Sequence, residues 1–532
     1  MPTRRDLLRT GLMAGGAALA PRAAGAQLCA PQNDPNLPVP ASPSVVPFSV
    51  SLPIPETLQP VESLDPPPDP SAHQRYDEFA PVKLYEIHVA QTPHPFARNY
   101  DPSDIFGYNG VYPGPTIPAR WGEPILVRIY NDLPVDAVGF GLPSITTHLH
   151  NMHSASESDG GPPDFHGPGT YHDHHYAMHP AGGDPREIMN TLWYHDHRQD
   201  FTAANVVRGL AAFFLAFDGL DSGDETDTNA EALRLPSGEF DVPLVFVDRV
   251  FDRDGVQTFD TFNTDGTLGD RFGVNGTIQP FFPVRRRKYR LRLLNAGPSR
   301  FYQFFLSSGQ PFIQLSTDGN LLPAPIVANS IFLSVAERVD VIVDFSNARL
   351  GDQIFLVNRL EQLNGRGPTY RILSPGDQIV RFDVVSNDTF DPSRVPTALR
   401  PLPEIDLSRV TRDRLWQFDY VGGTWLINGK TFDANRVDAE IVRDSAEIWT
   451  FRNEGFQWSH PIHAHLEESQ IIERNGRKVP PNARRDVITL RPNDEIKLYM
   501  QFRDWLGKYP LHCHNVVHED HSMMATFEIV PE

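Results

Sequence analysis

Residues 512–524 read HCHNVVHEDHSMM, and this stretch says more about the fold than any other part of the sequence. In a β-strand, Cys513 would point to one face and its two histidine neighbours to the other. His518 follows five residues after Cys513, and Met523 follows ten residues after it. The stretch therefore predicts a strand that carries ligands of two separate metal sites.

A thiolate, two imidazoles and a thioether form the ligand set of a blue-copper electron-transfer centre. Cys513, His518 and Met523 supply three of these ligands, and His460 can supply the second imidazole. Zinc sites rarely recruit methionine, so the set favours copper. The alternatives are a structural thiol at Cys513 and core packing of Met523. Met524 is adjacent, but the spacing favours Met523 as the ligand.

The 20 histidines of the chain are unevenly distributed. Ten lie between His148 and His197, seven lie between His460 and His521, and residues 198–459 contain none. Four His-x-His pairs stand beside strand-like sequence, where residues i and i+2 share one face. These eight imidazoles exceed what one ion can hold, so we predict a cluster of several metal ions. The pairs are His148/His150, His195/His197, His463/His465 and His512/His514.

One local pattern occurs three times along the chain. An Asn-Gly pair, which is a turn signal, is followed 20 to 25 residues later by an alternating strand that ends in Asn. The three pairs are 166 and 153 residues apart, which is a domain-sized spacing. We therefore predict three related β-sandwich domains in tandem, with three coincidental hairpin turns as the alternative. The copies are Asn109-Gly110 with 127–131, Asn275-Gly276 with 291–295, and Asn428-Gly429 with 449–453.

The N-terminus has the features of an export signal. Residues 3–8 read TRRDLL, a twin-arginine pattern, and the apolar run over 10–20 is too short to span a bilayer. Ala24-Gly25-Ala26 offers a cleavage site, so we expect the mature protein to begin near Gln27. We expect no lipid anchor at Cys29 and a periplasmic or extracellular location after export of the folded protein. An ordinary basic amphipathic N-terminus is the alternative.

Composition narrows the possible classes of partner. The formal net charge is −20, which disfavours binding to nucleic acid or to an anionic membrane. Two cysteines cannot form a disulfide scaffold or a four-thiolate cluster. Residues 31–70 hold 13 of the 50 prolines, so this stretch should be extended chain. We expect a monomer without a stable membrane anchor.

Four motifs together resemble the three-domain multicopper oxidases, the family of laccases and bilirubin oxidases. They are THLH (147–150), WYHDH (193–197), HPIHAH (460–465) and HCHNVVHEDHSMM (512–524). The resemblance covers about residues 75–532 and implies an all-β chain of three tandem cupredoxin-like Greek-key β-sandwich domains. The predicted order is a twin-arginine signal peptide (1–26), a proline-rich lead (27–74) and domains over 75–219, 220–389 and 390–532.

The resemblance also implies four copper ions, namely one type 1, one type 2 and two type 3 ions. The implied type 1 ligands are His460, Cys513 and His518, with Met523 as axial ligand. The implied type 2 ligands are His148 and His463. The implied type 3 ligands are His150, His195, His197, His465, His512 and His514. The cluster would be shared between the first and third domains, and the second would act as a spacer.

The activity implied by the resemblance is one-electron oxidation of phenols or similar aromatic compounds at type 1 copper, coupled to four-electron reduction of dioxygen to water. Electrons would arrive through His460, whose imidazole edge is expected near the surface, and would pass through Cys513 to its neighbours. One alternative is a periplasmic oxidase of cuprous or manganous ions in copper tolerance, which the lack of a methionine cluster disfavours. Another is a copper-free scaffold or binding protein, which the complete ligand set disfavours.

Four residues resemble catalytic or tuning residues of the family. Asp159 resembles the aspartate that delivers protons, with a solvated loop acid as the alternative. Glu519, beside His518, would orient a ligand or relay protons, or else lie at the surface. Trp458 and Asn515 resemble residues of bilirubin oxidases that tune the potential of type 1 copper, although the tryptophan could simply pack.

Two segments depart from a simple pattern. Residues 151–180 add six histidines, which could bind a fifth metal ion; their irregular spacing favours a mobile polar loop instead. The chain from His465 to Asp486 is shorter than expected for bilirubin oxidases, and it is expected to help wall the substrate site. This predicts an open site and argues against bilirubin as substrate. The six histidines are His153, His166, His172, His174, His175 and His179.

Overall fold

Strands make up most of the regular structure in the computed structural model, which describes residues 41–455 and 457–532. The predicted signal peptide, its cleavage site and Cys29 lie outside the described residues. The α-helices described are short: α1 (Ser156–Asp159), α2 (Thr202–Arg208) and α3 (Val516–Asp520). Single 3-10 turns occur at Pro70–Ala72, Ala181–Gly183, Pro185–Glu187, Gly238–Phe240 and Leu407–Arg409.

The first sandwich packs the sheet β2-β1-β4-β6 against the sheet β3-β8-β7-β5. Its strands are β1 (Lys83–His94), β2 (Ser103–Tyr108), β3 (Ile117–Arg120), β4 (Ile125–Asn131), β5 (Thr147–His150), β6 (Thr170–Tyr176), β7 (Thr191–Asp196) and β8 (Ala211–Phe217). The core between the sheets includes Tyr85, Val127 and Phe214, which are apolar residues from both sheets.

The second sandwich packs the sheet β12-β11-β9-β14-β19-β16-β17, with β10 beside β9, against the sheet β13-β21-β20-β15-β18. Its strands are β9 (Asp241–Phe251), β10 (Gln257–Thr258), β11 (Arg271–Val274), β12 (Thr277–Ile278), β13 (Phe281–Arg285), β14 (Lys288–Asn295), β15 (Tyr302–Leu306), β16 (Phe312–Thr317), β17 (Asn320–Ala328), β18 (Ile331–Leu333), β19 (Arg338–Asp344), β20 (Gln353–Leu360) and β21 (Ile372–Ser386).

The third sandwich packs the sheet β23-β22-β25-β30-β27-β28 against the sheet β24-β32-β31-β26-β29. Its strands are β22 (Val410–Val421), β23 (Thr424–Ile427), β24 (Ala439–Val442), β25 (Ser445–Asn453), β26 (His460–Ala464), β27 (Ser469–Arg474), β28 (Arg477–Lys478), β29 (Val487–Leu490), β30 (Glu495–Phe502), β31 (Gly507–Cys513) and β32 (Met524–Val530). Together the three sandwiches confirm the predicted all-β fold of tandem cupredoxin-like domains.

The repeated Asn-Gly pairs occupy equivalent places in the three sandwiches. Both residues of every pair have positive φ, which is typical of a type I′ turn. The side-chain oxygens of Asn109, Asn275 and Asn428 each accept a hydrogen bond of 2.8 Å from a backbone N–H of the long first strand. That strand pairs in parallel with the strand ending in Asn, as β1 with β4, β9 with β14 and β22 with β25. The threefold pattern therefore reflects one repeated structural unit.

The proline-rich segment is extended over its described part, as its composition predicts. Single bridge pairs attach it to two sandwiches: Ser51 pairs with Phe281, Thr57 with Thr116 and Val61 with Leu84. No helix in the described part of the chain is both long and apolar enough to cross a membrane.

The three sandwiches meet along a shared apolar contact. One hydrophobic cluster contains Trp193 of the first sandwich, Val245 of the second and Val487 of the third. Because this contact joins all three sandwiches, it fixes the strands of the first sandwich against those of the third. The predicted ligands lie on those strands.

Candidate metal centre

Two neighbouring strands of the first sandwich carry its four candidate ligands. β5 pairs antiparallel with β7, so His148 lies opposite His195. His150 follows two residues later on the same face of β5, and His197 comes directly after β7. All four side chains are buried. The first sandwich therefore presents four imidazoles at one place.

The third sandwich presents its histidines in the same way. β26 pairs antiparallel with β31, so His463 lies opposite His512 and Ile462 lies opposite Cys513. Because neighbouring strand residues face opposite sides, Cys513 joins the apolar core of the sandwich. His512 instead meets the first sandwich, with its Nε2 atom 3.2 Å from Nε2 of His197. The tripeptide His512-Cys513-His514 thus lies between two groups of candidate metal ligands.

The most compact group contains His197, His465 and His512. Each pair of their Nε2 atoms is 3.2 Å apart. Three nitrogens bonded at about 2.0 Å to one tetrahedral ion lie about 3.3 Å apart. The three side chains therefore have the separation that a single bound ion requires.

The other five histidines of the predicted cluster lie beside this group. The ring of His148 stacks on that of His465, and His150 stacks on His463, each with centroids 3.8 Å apart. The ring centroid of His514 is 5.0 Å from that of His150 and 5.3 Å from that of His195. All eight histidines of the four His-x-His pairs therefore converge between the first and third sandwiches.

Hydrogen bonds to the cluster leave one nitrogen available on each of five rings. His148, His463 and His195 donate Nδ1–H to backbone carbonyls over 2.6, 3.0 and 2.9 Å. Their Nε2 atoms are buried without a hydrogen-bond partner. His465 and His512 also use Nδ1 for a hydrogen bond. Metal-ligating histidines are typically held in this way by the second nitrogen, so the donors fit metal ions.

A second donor group surrounds Cys513. Its Sγ atom lies 3.5 Å from Nδ1 of His460 and 3.7 Å from Nδ1 of His518, and these two nitrogens are 3.2 Å apart. His518 donates Nε2–H to the carbonyl of Asp265 over 3.0 Å, which leaves Nδ1 as the free donor atom. Met523 is buried in the same core and accepts a backbone hydrogen bond from Cys513. These residues fit the predicted blue-copper ligand set.

Burial shifts the titration of this group. It lowers the pKa of His460 to about 3 and raises the pKa of the Cys513 thiol well above its usual range. The imidazole is therefore neutral at physiological pH, as a metal ligand must be. A bound cation deprotonates a coordinating thiol outright, so the raised pKa of Cys513 does not prevent binding.

Asp159 lies at the cluster and is fully buried. Its Oδ2 atom accepts a hydrogen bond from Nδ1 of His465 over 2.7 Å, and its backbone carbonyl accepts one from His148 over 2.6 Å. Its Oδ1 atom has no hydrogen-bond partner. Burial, reinforced by Asp164, raises the pKa of Asp159 well above its usual range. The structure therefore contradicts the alternative in which Asp159 is a solvated acid on a loop.

Glu519 lies on the other side of the compact group, also buried. Its carboxylate oxygens are 3.2 Å from Nδ1 of His197 and 3.0 Å from Nδ1 of His512. Burial alone would raise the pKa of Glu519, but the two histidines lower it well below its usual range. The carboxylate thus contacts two candidate ligands, which is the orienting position and not a surface position.

Comparison with known proteins gives the same family as the motifs. Sequence profiles described as "Multicopper oxidase" match residues 90–218 and 400–532. A bilirubin oxidase of Albifimbria verrucaria is 32% identical over 504 residues, which cover 91% of this chain and 82% of that protein. The chain belongs to the multicopper oxidase family. It is therefore a copper-binding oxidoreductase.

Other members of the family show the same extent of similarity. A laccase of Bacillus subtilis (strain 168) is 30% identical over 91% of this oxidase and 98% of the laccase. The crystal structure of a laccase from Pediococcus acidilactici superposes with a TM-score of 0.75 at 26% identity, covering 92% of this oxidase and 95% of that chain. The similarity therefore extends over the whole described fold.

The position of His460 differs from the expectation. Only 1% of its surface is exposed, whereas an imidazole edge near the surface was expected. The ring of Trp425 packs edge-on at 5.4 Å, and a Cβ atom at Gly455 would lie only 4.0 Å from Nε2. His460 is therefore covered in the oxidase. The preceding residue, Ser459, lines a cleft.

The second sandwich is more than the spacer that was expected. Besides the Asp265 carbonyl that holds His518, it contributes Ser299, which donates to Asn515 Oδ1 over 2.9 Å. Asn515 Nδ2 lies 3.2 Å from His518 Nε2, so Asn515 is beside the Cys513 group as predicted. The histidine-free domain thus orients a candidate ligand of the third domain.

Trp458 and Trp425 both belong to the aromatic surroundings of the Cys513 group. Trp458 packs at 5.2 Å from Trp425, and Arg366 lies over its ring at 4.6 Å. Trp425 is the closer residue, because its ring lies 3.9 Å from that of His518. Sequence reasoning missed Trp425. Its place three residues before the third Asn-Gly pair is the only signal, and that signal indicates a turn, not a ligand contact.

Sequence reasoning also missed the Asp486 site. The backbone carbonyl of Asp486 accepts from His463, and its carboxylate lies 3.3 Å from Nε2 of His150. Arg338 of the second sandwich holds the same carboxylate with bonds of 3.0 and 2.7 Å. Burial raises the pKa of Asp486 to about 7, against the opposing effect of Arg338. The tripeptide Arg485-Asp486-Val487 contains no pattern that predicts this contact.

The histidines of residues 151–180 form ordered structure, so the mobile polar loop was wrong. β6 carries three of them and pairs with β4 from Ile125 to Asn131. His172 and His174 donate to the carbonyls of Glu157 and Ser158 over 2.9 and 3.0 Å. Among the described residues, none of the six joins a group of three metal-ligand atoms. His172 and His174 support helix α1, which carries Asp159.

A cleft with a volume of about 300 Å³ opens next to Ser459. Its walls come from the 363–369 segment, Gln457, Ser459 and Pro492. The segment after His465 forms the β27–β28 hairpin and contributes no wall to this cleft. The length of that segment therefore says nothing about this cleft.

Proposed function

We propose that the protein oxidises phenols or similar small aromatic compounds by one electron at a time and reduces dioxygen to water, as a laccase or a bilirubin oxidase does. The observation that carries the proposal is the position of His512-Cys513-His514 between two donor groups. An electron acceptor for organic substrates and a site for dioxygen can thus lie one peptide bond apart in a single strand.

We propose four bound copper ions. His460, Cys513, His518 and Met523 would hold type 1 copper, and His148 and His463 would hold type 2 copper. The remaining six histidines would hold the type 3 pair: His150, His195, His197, His465, His512 and His514. The 3.2 Å triangle of Nε2 atoms supports three members of that last set.

Bound copper supplies reversible one-electron transfer and the activation of dioxygen. The residues of this chain supply the path between the two sites, because Cys513 is bonded through its backbone to both His512 and His514. They also supply protons. Asp159, with one unpaired carboxylate oxygen beside His465, would hold a proton next to the site of dioxygen reduction. Glu519 would orient His197 and His512.

Oxidation of cuprous ions is the weaker candidate. Soft cuprous ions are bound by thiolate and thioether ligands, and such an enzyme needs a site that solvent can reach. The described methionines are Met152, Met178, Met189, Met500, Met523 and Met524, and all of them are buried. The described surface therefore offers no thioether ligand to an arriving ion.

Export and partners complete the proposal. The twin-arginine pattern over 3–8 supports export of the folded protein to the periplasm or the extracellular space. The reductant and dioxygen are then the partners, and the protein acts as a monomer. A fusion of residues 1–40 to a reporter that is active only when exported folded tests this point, with Arg4→Lys/Arg5→Lys as the inactive control.

The proposed reaction is tested with the purified, copper-loaded protein. We expect about four copper ions per chain, a blue absorption band, and oxygen uptake with phenols. Bilirubin, cuprous and manganous ions are compared under the same conditions. A colourless protein that holds one zinc ion would contradict the copper assignment. Fast uptake with cuprous ion and none with any phenol would instead support the metal-ion oxidase.

A further inference from the structure

We infer that the cleft beside Ser459 selects aromatic reductants that carry a carboxylate group, and that Arg491 is the residue that recognises this group. The inference rests on the proposed oxidation of phenols and names the substrate class within it. It follows from the location, the size and the charge of the cleft.

The cleft lies next to the Cys513 donor group. Ser459 forms part of its wall and is bonded to His460, whose Nδ1 atom is 3.5 Å from Cys513 Sγ. A ring held against Ser459 therefore contacts the residue that is directly bonded to His460, a candidate metal ligand. The volume of about 300 Å³ is at the lower end for ligand sites, which suits a single aromatic ring and not a tetrapyrrole.

The lining of the cleft lacks the acidic side chains that are in excess in the whole protein. The chain has a net charge of −20, yet no acidic side chain lines the described cleft. Its one charged lining residue is Arg366, which lies over Trp458 and is paired with Asp265 at 2.8 Å. Because that pair is neutral overall, Arg366 contributes shape and hydrogen bonding more than net charge.

Arg491 supplies a positive charge near the cleft. Asp494 accepts a hydrogen bond from the backbone N–H of Arg491 over 3.1 Å, but its carboxylate pairs with Arg474 at 2.8 Å. Its guanidinium lies 4.3 Å over the ring of Tyr370, whose hydroxyl is 3.4 Å from the hydroxyl of Ser459. The next residue, Pro492, lines the cleft. Among the described residues, no carboxylate lies within 4.0 Å of this guanidinium. Planar guanidinium groups bind carboxylates through two parallel hydrogen bonds, so Arg491 is suited to an anionic ring substituent.

The carboxylate of the substrate pairs with Arg491 at the rim, and its phenol group lies towards Ser459. The phenol would give up one electron and one proton and leave as a phenoxyl radical. The copper ion that His460, Cys513, His518 and Met523 would hold supplies the one-electron oxidant, and water takes the proton. Four such oxidations supply the electrons that, with four protons, convert one dioxygen into two waters.

Syringic acid and its methyl ester test the inference, because they differ in the carboxylate and share the phenol. In the copper-loaded wild-type protein we expect kcat/KM to be higher for the acid and to fall towards the value for the ester as salt is added. Arg491→Gln should lower the acid-to-ester ratio of kcat/KM about fivefold, and Arg412→Gln, an exposed arginine on β22, should leave the ratio unchanged.

A binding measurement separates recognition from turnover. Calorimetry of the copper-loaded protein with 3,4,5-trimethoxybenzoate, which lacks a phenol hydroxyl, should show weaker binding to the Arg491→Gln variant. Equal ratios and equal binding in the variant and wild type would overturn the inference while phenol oxidation stands. Oxidation of neither syringic acid nor its ester would instead count against the proposed function.

Discussion

Cys513 is the residue on which the proposed electron transfer depends, because it alone belongs to one donor group and is bonded to members of the other. Cys513→Ser should abolish the blue absorption band and the oxidation of phenols. The copper content should fall by about one ion per chain, since the eight histidines of the cluster are unchanged. Absorption spectroscopy and metal analysis measure both effects. Retention of the blue band in the variant would exclude Cys513 as a ligand.

Asp159 is the residue that we expect to govern dioxygen reduction. Asp159→Asn keeps the size and removes the titratable group, so turnover should fall at least tenfold. Anaerobic reduction of the blue band by a phenol should proceed at the wild-type rate. Asp136→Asn, at an exposed carboxylate of the same sandwich, is the matched control and should change turnover less than twofold. Equal losses in the two variants would point to a general effect on the sandwich.

Spacing predicted the histidines, the cysteine and the methionine because ligand side chains carry a chemical identity that the sequence displays. The residues that spacing did not predict act through backbone atoms or through packing. The carbonyl of Asp265 holds His518 through backbone atoms, and any residue could supply such a carbonyl. Trp425 contacts the ring of His518 only because β23 folds back beside α3. Neither contact has a sequence signature.

At the scale of single elements, the three Asn-Gly turns allow a matched test of backbone strain. Gly276 and Gly429 have φ values of 78° and 71°, so alanine is disfavoured at both. A Cβ atom at Gly276 would lie 2.7 Å from the carbonyl of Tyr112, whereas nothing lies within 4 Å of the same position at Gly429. Gly429→Ala should cost about 1 kcal/mol of folding free energy, and Gly276→Ala about 3 kcal/mol. Chemical denaturation measures the difference, and equal costs would contradict the steric argument.

Helix α1 is too short to be stable alone, and histidines hold three successive carbonyls of it. His172, His174 and His148 bond to those of residues 157, 158 and 159. His174→Leu removes one buried donor, so it should cost about 1–3 kcal/mol and increase hydrogen exchange in α1. His88→Leu, at an exposed histidine, is the control. Unchanged exchange in the His174 variant would show that α1 does not depend on this bond.

Residues 151–180 form ordered structure that the sequence did not predict. Their histidines have no periodic spacing, and Gly, Pro and Asp are frequent, so local preference favours a loop. Pairing with β4 overrides that preference, because it satisfies the backbone of seven residues at once. The strands beside the His-x-His pairs were predictable because each alternates locally. The partner of β6 lies about 45 residues away and leaves no local trace.

At the scale of the whole molecule, Arg338 and Asp486 join the second sandwich to the metal cluster. Both side chains are buried, and the carboxylate also lies beside His150. Arg338→Met should cost about 3–5 kcal/mol, because it leaves a buried acid without its partner. Arg381→Met, which breaks the partly exposed pair with Asp383, should cost no more than about 1 kcal/mol. Thermal unfolding and copper content of the two variants measure the contrast, and similar melting temperatures would contradict it.

Domain organisation was predictable at this scale, since the repeat of Asn-Gly and strand recurs at a domain-sized interval. The way the domains meet was not. Contacts such as Ser299 with Asn515, or Arg338 with Asp486, join residues about 150 to 220 positions apart. They depend on how whole sandwiches pack, which no local pattern records.

The cluster takes His148 from near the start of the described chain and His514 from near its end, so the two halves of the site are synthesised far apart in time. A ribosome-bound chain that stops before β31 has four of the eight cluster histidines in a finished first sandwich and lacks the strand that completes the set. Retention of the metal ions therefore indicates that both halves of the site are present. A molecule that keeps its full complement of metal through gel filtration must have been translated to the last strands and docked end to end.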